Sequence, residues 1–136
     1  MSTEKKATGL FGVKVSENDG PEETIPTTEH SLDIQTDRLT VSGFVETPQG
    51  RRGVQIDIHG ELKLGTHPFT ENYSTAGFYN PHGQTSSWVG RVKGGAIVLL
   101  EVDVEKQFAR GTFEFVAEDR HNPNSAKVIG SFSLTG

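Results

Sequence analysis

The chain is predicted to be all-β, a single antiparallel β-sandwich or barrel of about eight strands. Three observations carry this. Apolar residues recur at every second position in several windows, as in a strand with one buried face. Gly, Pro and Asn clusters punctuate those windows at short intervals. No window of useful length shows apolar residues at helical spacing between capping residues. The 136 residues suit one domain, large enough to bury a core without staples.

The elements follow in order. Residues 1–7 are polar and read as a frayed start, which leaves 8–136 as the β-domain. A first strand is predicted over 10–15. Residues 17–28 contain Asp19-Gly20-Pro21 and Ile25-Pro26, with high charge and little to bury, and predict a mobile acidic loop. Strands over 30–34 and 39–46 come next, then a turn at Pro48-Gln49-Gly50. Val54, Ile56, Ile58, Leu62 and Leu64 alternate with Gln55, Asp57, His59, Glu61 and Lys63. Gly60 falls on the inward register there and marks a bulge or bend.

Shorter strands are expected near 76–79 and 87–93, with Lys93-Gly94-Gly95 as a tight hairpin. Val98, Leu100, Val102 and Val104 then read as inward against Glu101, Asp103 and Glu105. Phe113, Phe115 and Ala117 point inward in the next strand, and Val128, Phe132 and Leu134 in the last. That last strand is predicted to pair with the 113–115 strand through a loop over 118–125.

Charge and composition narrow the function. Net charge is −5, and the imbalance is local. Residues 17–37 hold Glu17, Asp19, Glu22, Glu23, Glu29, Asp33 and Asp37 with no Lys or Arg. A nucleic-acid binder needs a basic stripe to displace phosphate counterions, and Arg51-Arg52 is too small to be one, so nucleic acid is set aside. Cysteine is absent, which excludes disulfides, thiolate metal sites and a cysteine nucleophile. No apolar run is long enough for a membrane span or a signal h-region. The sequence as written reads as soluble and cytoplasmic, or as secreted or periplasmic if a leader has been removed.

Catalytic and metal chemistries find little. His30, His59, His67, His82 and His121 form no HxH or HExxH spacing. Asp57, His59 and Glu61 line up on one strand face, but same-face neighbours lie about 7 Å apart, too far for all three to ligate one ion directly. Two acidic loops, 17–20 and 118–122, carry calcium-type ligands without the spacing or closing Glu of an EF-hand. There is no GxSxG elbow and no phosphate loop. The expectation is a protein that is not an enzyme and carries no cofactor.

The informative stretch is 69–88, FTENYSTAGFYNPHGQTSSW. It holds both tyrosines and the single tryptophan among polar residues. Tyr and Trp beside Asn, Ser and Gly make contact surfaces at low entropic cost. Tyr73, Phe78, Tyr79, His82 and Trp88 are therefore the candidate binding residues. The alternative is that Phe78, Tyr79 and Trp88 fill one end of the core.

The second half of the chain carries a succession of motifs: Leu64-Gly65-Thr66-His67, Gly77-Phe78-Tyr79, an apolar/acidic strand led by Gly94, Gly111-Thr112-Phe113-Glu114-Phe115-Val116-Ala117, and Gly130-Ser131-Phe132-Ser133-Leu134. This order resembles small bacterial β-sandwich-like domains of unknown function, many of them lipoproteins. The resemblance covers about two-thirds of the chain. It departs in lacking a lipobox cysteine and in having His67 where an aromatic is usual. It implies a β-sandwich-like domain and assigns no functional residues.

The function that follows is a non-catalytic binding or interaction module for a protein or glycan, using the 69–88 surface. A small-molecule carrier with a lipocalin-like barrel cavity is the alternative. Open edge strands also leave room for a homodimer. The predicted C-terminal pairing has a direct consequence. Deleting residues 132–136 unfolds the domain rather than trimming it, as loss of the cooperative melting transition will show; a soluble truncation with an unchanged melt contradicts the pairing.

Overall fold

The computed structural model describes residues 6–81 and 87–136. It is all-β, with no helix among the described residues, and so none long and apolar enough to cross a membrane. Among the described residues eleven strands are present rather than about eight: β1 (Thr8–Glu17), β2 (Glu23–Ile25), β3 (Glu29–Gln35), β4 (Arg38–Thr47), β5 (Gly50–His59), β6 (Gly65–Pro68), β7 (Thr75–Asn80), β8 (Trp88–Gly90), β9 (Ala96–Asp103), β10 (Phe108–Glu118) and β11 (Ser125–Thr135). The unexpected strands are β2 and β6, whereas β8 is a short strand within the one expected over 87–93. β2 and β6 have three and four residues, too few to show a period.

The strands form one curled antiparallel sheet in the order β2-β1-β11-β10-β8-β7-β5-β4-β3. A branch leaves it at β10. The first half of β10 pairs with β9, which carries β6 on its far edge, while the end of β10 pairs with β8. The curl brings the start of the chain against β3, through a bridge from Lys6 to Ser31 and a hydrogen bond from Ala7 N–H to the His30 carbonyl at 2.9 Å.

The expected closing pair is present. β10 and β11 are in register from Phe108↔Thr135 to Glu118↔Ser125, and Phe113, Phe115, Ala117, Val128, Phe132 and Leu134 all face the core. β11 is also covered on its other edge by β1, from Thr8↔Thr135 to Glu17↔Ala126. The last strand is therefore central, with pairing on both sides.

Two expected strands end or turn differently. β5 stops at His59, because Gly60 adopts φ +138° and its N–H turns to the Asp37 carbonyl. Leu64 consequently stands 65% exposed instead of continuing the inward row. In β9 the inward residues are Ile97 and Leu99, and Leu100 is exposed. Gly111 pairs with Leu99 and Arg110 with Glu101, so Leu100 is the extra residue of a β-bulge. One inserted residue exchanges the two faces of a strand, which puts Leu100 outside while Val102 and Val104 still pack against the core.

The segment read as an acidic loop is in part strand. β1 runs through Glu17, Asn18 and Asp19 turn the chain at positive φ, and Glu23–Ile25 returns along β1 from Val15 to Val13. Ile25 is buried there.

The interior is a train of aromatic rings. Phe132, Phe11, Phe113, Phe115 and Phe69 follow one another with neighbouring centroids 5.4 to 6.4 Å apart, distances at which tilted rings attract. Glycines face these rings. A methyl group added at Gly77 would lie 2.7 Å from Phe69 Cζ and 2.9 Å from Phe115 Cε1, and additions at Gly43 and Gly130 would strike Phe11 and Phe113. Gly12, on the outer face of β1, meets nothing within 4 Å.

This difference is testable. Gly77→Ala is expected to lower stability by about 2 kcal/mol through overpacking, whereas Gly12→Ala changes it by less than about 0.5 kcal/mol. Denaturant unfolding of the two variants checks it; equal effects contradict the ring-on-glycine packing.

Candidate functional site

The five sequence candidates do not converge. Phe78 and Tyr79 are adjacent in β7, so they point to opposite faces. Tyr79 is fully buried and Trp88 nearly so, with their rings edge-to-face at 5.7 Å. Both belong to the core. Phe78 is half-buried on the outer face, opposite Val89 of β8 and Gln55 of β5. Tyr73 lies in the β6–β7 turn and is 47% exposed. His82 falls outside the described residues.

Tyr79 also belongs to a polar cluster that the sequence reading missed. Arg52 shares the inward register of β5 with Val54, Ile56 and Ile58 and is 5% exposed. Its Nε donates to Tyr79 Oη at 3.1 Å and its Nη1 to Glu23 Oε2 at 3.2 Å, and Nη2 lies 3.6 Å from Glu17 Oε2. Tyr79 in turn donates its hydroxyl proton to Glu17. A guanidinium taken out of water needs compensating charge and acceptors, and the β1–β2 hairpin delivers both carboxylates. The phase of Arg52 within the alternating run, and an acidic segment with no base of its own, are the signals that could have revealed it.

The electrostatics follow. Burial, then the hydrogen bond to Glu17, pushes the Tyr79 phenol well above its ordinary value. It stays protonated at neutral pH and is not a base. Burial acts to lower the Arg52 pKa, but its hydrogen bonds to Tyr79 and Glu23 outweigh that and leave it raised. Tyr79 and Arg52 both keep their protons near neutrality, and the cluster is a structural network.

The outer elements are differently built. Tyr73 adopts φ +61°, a left-handed conformation unusual for a bulky side chain. The turn holds it there: Tyr73 N–H donates to the Thr70 carbonyl at 3.1 Å, and Thr70 Oγ1 bonds Asn72 Oδ1 and Ser74 Oγ, each at 2.8 Å. Arg120 Nη2 donates to Tyr73 Oη at 2.6 Å, and its guanidinium carbon lies 5.8 Å from the ring centroid. Arg120 comes from the β10–β11 loop. Asp119 organises that loop, its carboxylate held below the usual range by the His121 backbone N–H and the side chains of Asn124 and Asn122.

A third feature is a cavity of about 330 Å³ lined by Lys6, Ala7, Thr28, Glu29 and His30, where β1 and β3 diverge. Thr27 bridges the gap beside it, donating from Oγ1 to the Phe11 carbonyl at 2.6 Å and lying 3.1 Å from His30 Nε2. Among the described residues no group of three or more His, Asp or Glu side chains could hold a metal ion. No protein-family model, curated protein or solved structure matches the chain.

The tyrosine environments separate in alkaline titration. Because the folded Tyr79 binds its proton more tightly than the unfolded tyrosine, the unfolded state loses protons first above about pH 10, and stability falls as pH rises from there. Absorbance titration is expected to show one of the two tyrosines ionising only with unfolding, and Tyr79→Phe to abolish that delayed step. Ionisation of both while the fold persists contradicts the cluster. Replacing both Glu17 and Glu23 by Gln lowers stability by about 2 kcal/mol, less than a fully buried pair because both carboxylates keep part of their hydration; chemical denaturation reads this directly.

Proposed function

We propose that the chain is a non-catalytic binding module for a protein or glycan partner, and that its contact surface is the outer patch around Tyr73, Phe78 and Arg120. The observation that carries this is Tyr73: a bulky residue at φ +61°, half exposed, with its hydroxyl gripped by a guanidinium. Such a backbone costs about 1 kcal/mol or more and persists only where its surroundings enforce it. Strain spent on displaying an aromatic ring is understandable if the ring is used. A Tyr locked by an Arg is a pre-organised anchor, and these two residue types dominate binding energetics at interfaces. Phe78 and Val89 supply apolar surface on the same outer side of the sheet.

The original candidate set is thereby reduced. Tyr79 and Trp88 support the patch from the core side and do not touch a partner. The carrier alternative draws no support from the interior, where rings in contact occupy the space an apolar ligand would need. The finer fold reads as a barrel that stays open, with the Lys6–Ser31 bridge drawing its two ends together.

The test compares wild type with Tyr73→Asn on glycan arrays and in partner pull-downs. Asn tolerates the left-handed conformation, so the variant is expected to melt at or above the wild-type temperature while affinity for any saturable binder drops at least about tenfold. Absence of a saturable binder, or a binder indifferent to Tyr73→Asn, overturns the proposal.

A further inference from the structure

The outer face formed by β1, β11, β10 and β9 is not yet accounted for. Leu10 (75% exposed), Ile129 (44%) and Leu100 (44%) all stand on it, since Phe11, Val128 and Leu99 beside them point inward. Three large exposed apolar side chains on one continuous sheet face are a surface in search of cover. Its charges are arranged in a particular way. Gly12, Ser131, Thr112 and Val98 form a row across the four strands. On β10, Arg110 and Glu114 stand on either side of that row, each two positions from Thr112.

We infer that this face docks against the same face of a second copy of the chain, through a two-fold axis lying along the Gly12–Ser131–Thr112 row. Rotation about that axis lays β10 antiparallel on its counterpart. Arg110 of each copy then meets Glu114 of the other, so the pairing occurs twice, as an isologous interface requires. The same rotation sets Ile129 over Ser133, Val116 over Phe108, and Leu10 over the aliphatic stem of Lys14, with no like charges opposed.

The short side chains on the axis let the two sheets approach. Arg110 already lies 3.6 Å from Glu101 within its own chain, which fixes the guanidinium on this face. The four strands span about 19 Å by 34 Å at about 4.8 Å per strand and 3.4 Å per residue. That area, about 650 Å², approaches the roughly 800 Å² per partner of a standard interface. The inference is independent of the Tyr73 patch.

A charge-swap series with the full chain tests it. Sedimentation velocity from low micromolar to near-millimolar concentration is expected to show a monomer–dimer equilibrium. R110E and E114R each oppose like charges and are expected to weaken dimerisation at least about tenfold, whereas R110E/E114R restores the opposite pairing and returns it to within about threefold of wild type. Within one strand these two residues are too far apart to pair, so rescue points to contact between copies. I129K, which leaves both charges in place, is expected to abolish the dimer, and thermal melts verify that each variant is folded. A monomer at every concentration, a dimer indifferent to the single swaps, or rescue by K14E/E114K instead of R110E/E114R overturns the inference; the last would place the axis along β11.

Discussion

The packing of phenylalanine rings onto interior glycines sets the terms for the rest of this structure. A sheet curls tightly only if the side chains on its concave face leave room for one another. Here the problem is solved by alternation of extremes, with a full ring on one strand facing a glycine, adjoining or across the curl. Phe11 of β1 lies against Gly43 of β4 and Phe113 of β10 against Gly130 of β11. Phe69 contacts Gly77, Gly90 and Gly95 together and so occupies the place where the sheet divides into its two branches. The glycine content of the chain is therefore as much a property of its core as of its turns.

The ring train also explains where the polar cluster sits. The inward row of β5 runs Ile58, Ile56, Val54, Arg52, and at its end the core offers a buried guanidinium in place of another apolar side chain. Tyr79 and the two carboxylates from the β1–β2 hairpin answer it. The acidity of residues 17–23 is thus partly structural, tying an edge hairpin to the body of the sheet. What remains on the outside is divided between an exposed tyrosine in a left-handed conformation at one turn and a broad, mixed sheet face on β1, β11, β10 and β9.

Much of this was legible in the sequence, and the parts that were not have physical reasons. The alternation in β5, β10 and β11 declared itself because a strand with one buried face leaves a period-two trace. The pairing of β10 with β11 followed from a short loop. The pairing of β1 with β11 spans most of the chain and leaves no local signal. The bulge at Leu100 is invisible in a run of apolar residues, since Ile97 to Leu100 supports either phase. Among the site candidates, composition nominated Tyr79 and Trp88 for display, while their register placed them inside. The adjacency of Phe78 and Tyr79 already required that only one of them face solvent. Arg52 was in phase with the core throughout, but a charged residue is not what that phase leads one to expect.

The central claim, that aromatic rings lie directly on interior glycines, has a direct spectroscopic test. Protons above an aromatic ring are shifted upfield by its ring current. In a proton–carbon correlation spectrum the α protons of Gly43, Gly77 and Gly130 are predicted to be displaced upfield of those of Gly12 and Gly94, which have open space beside them. Glycine α protons clustered together without that separation would contradict the account.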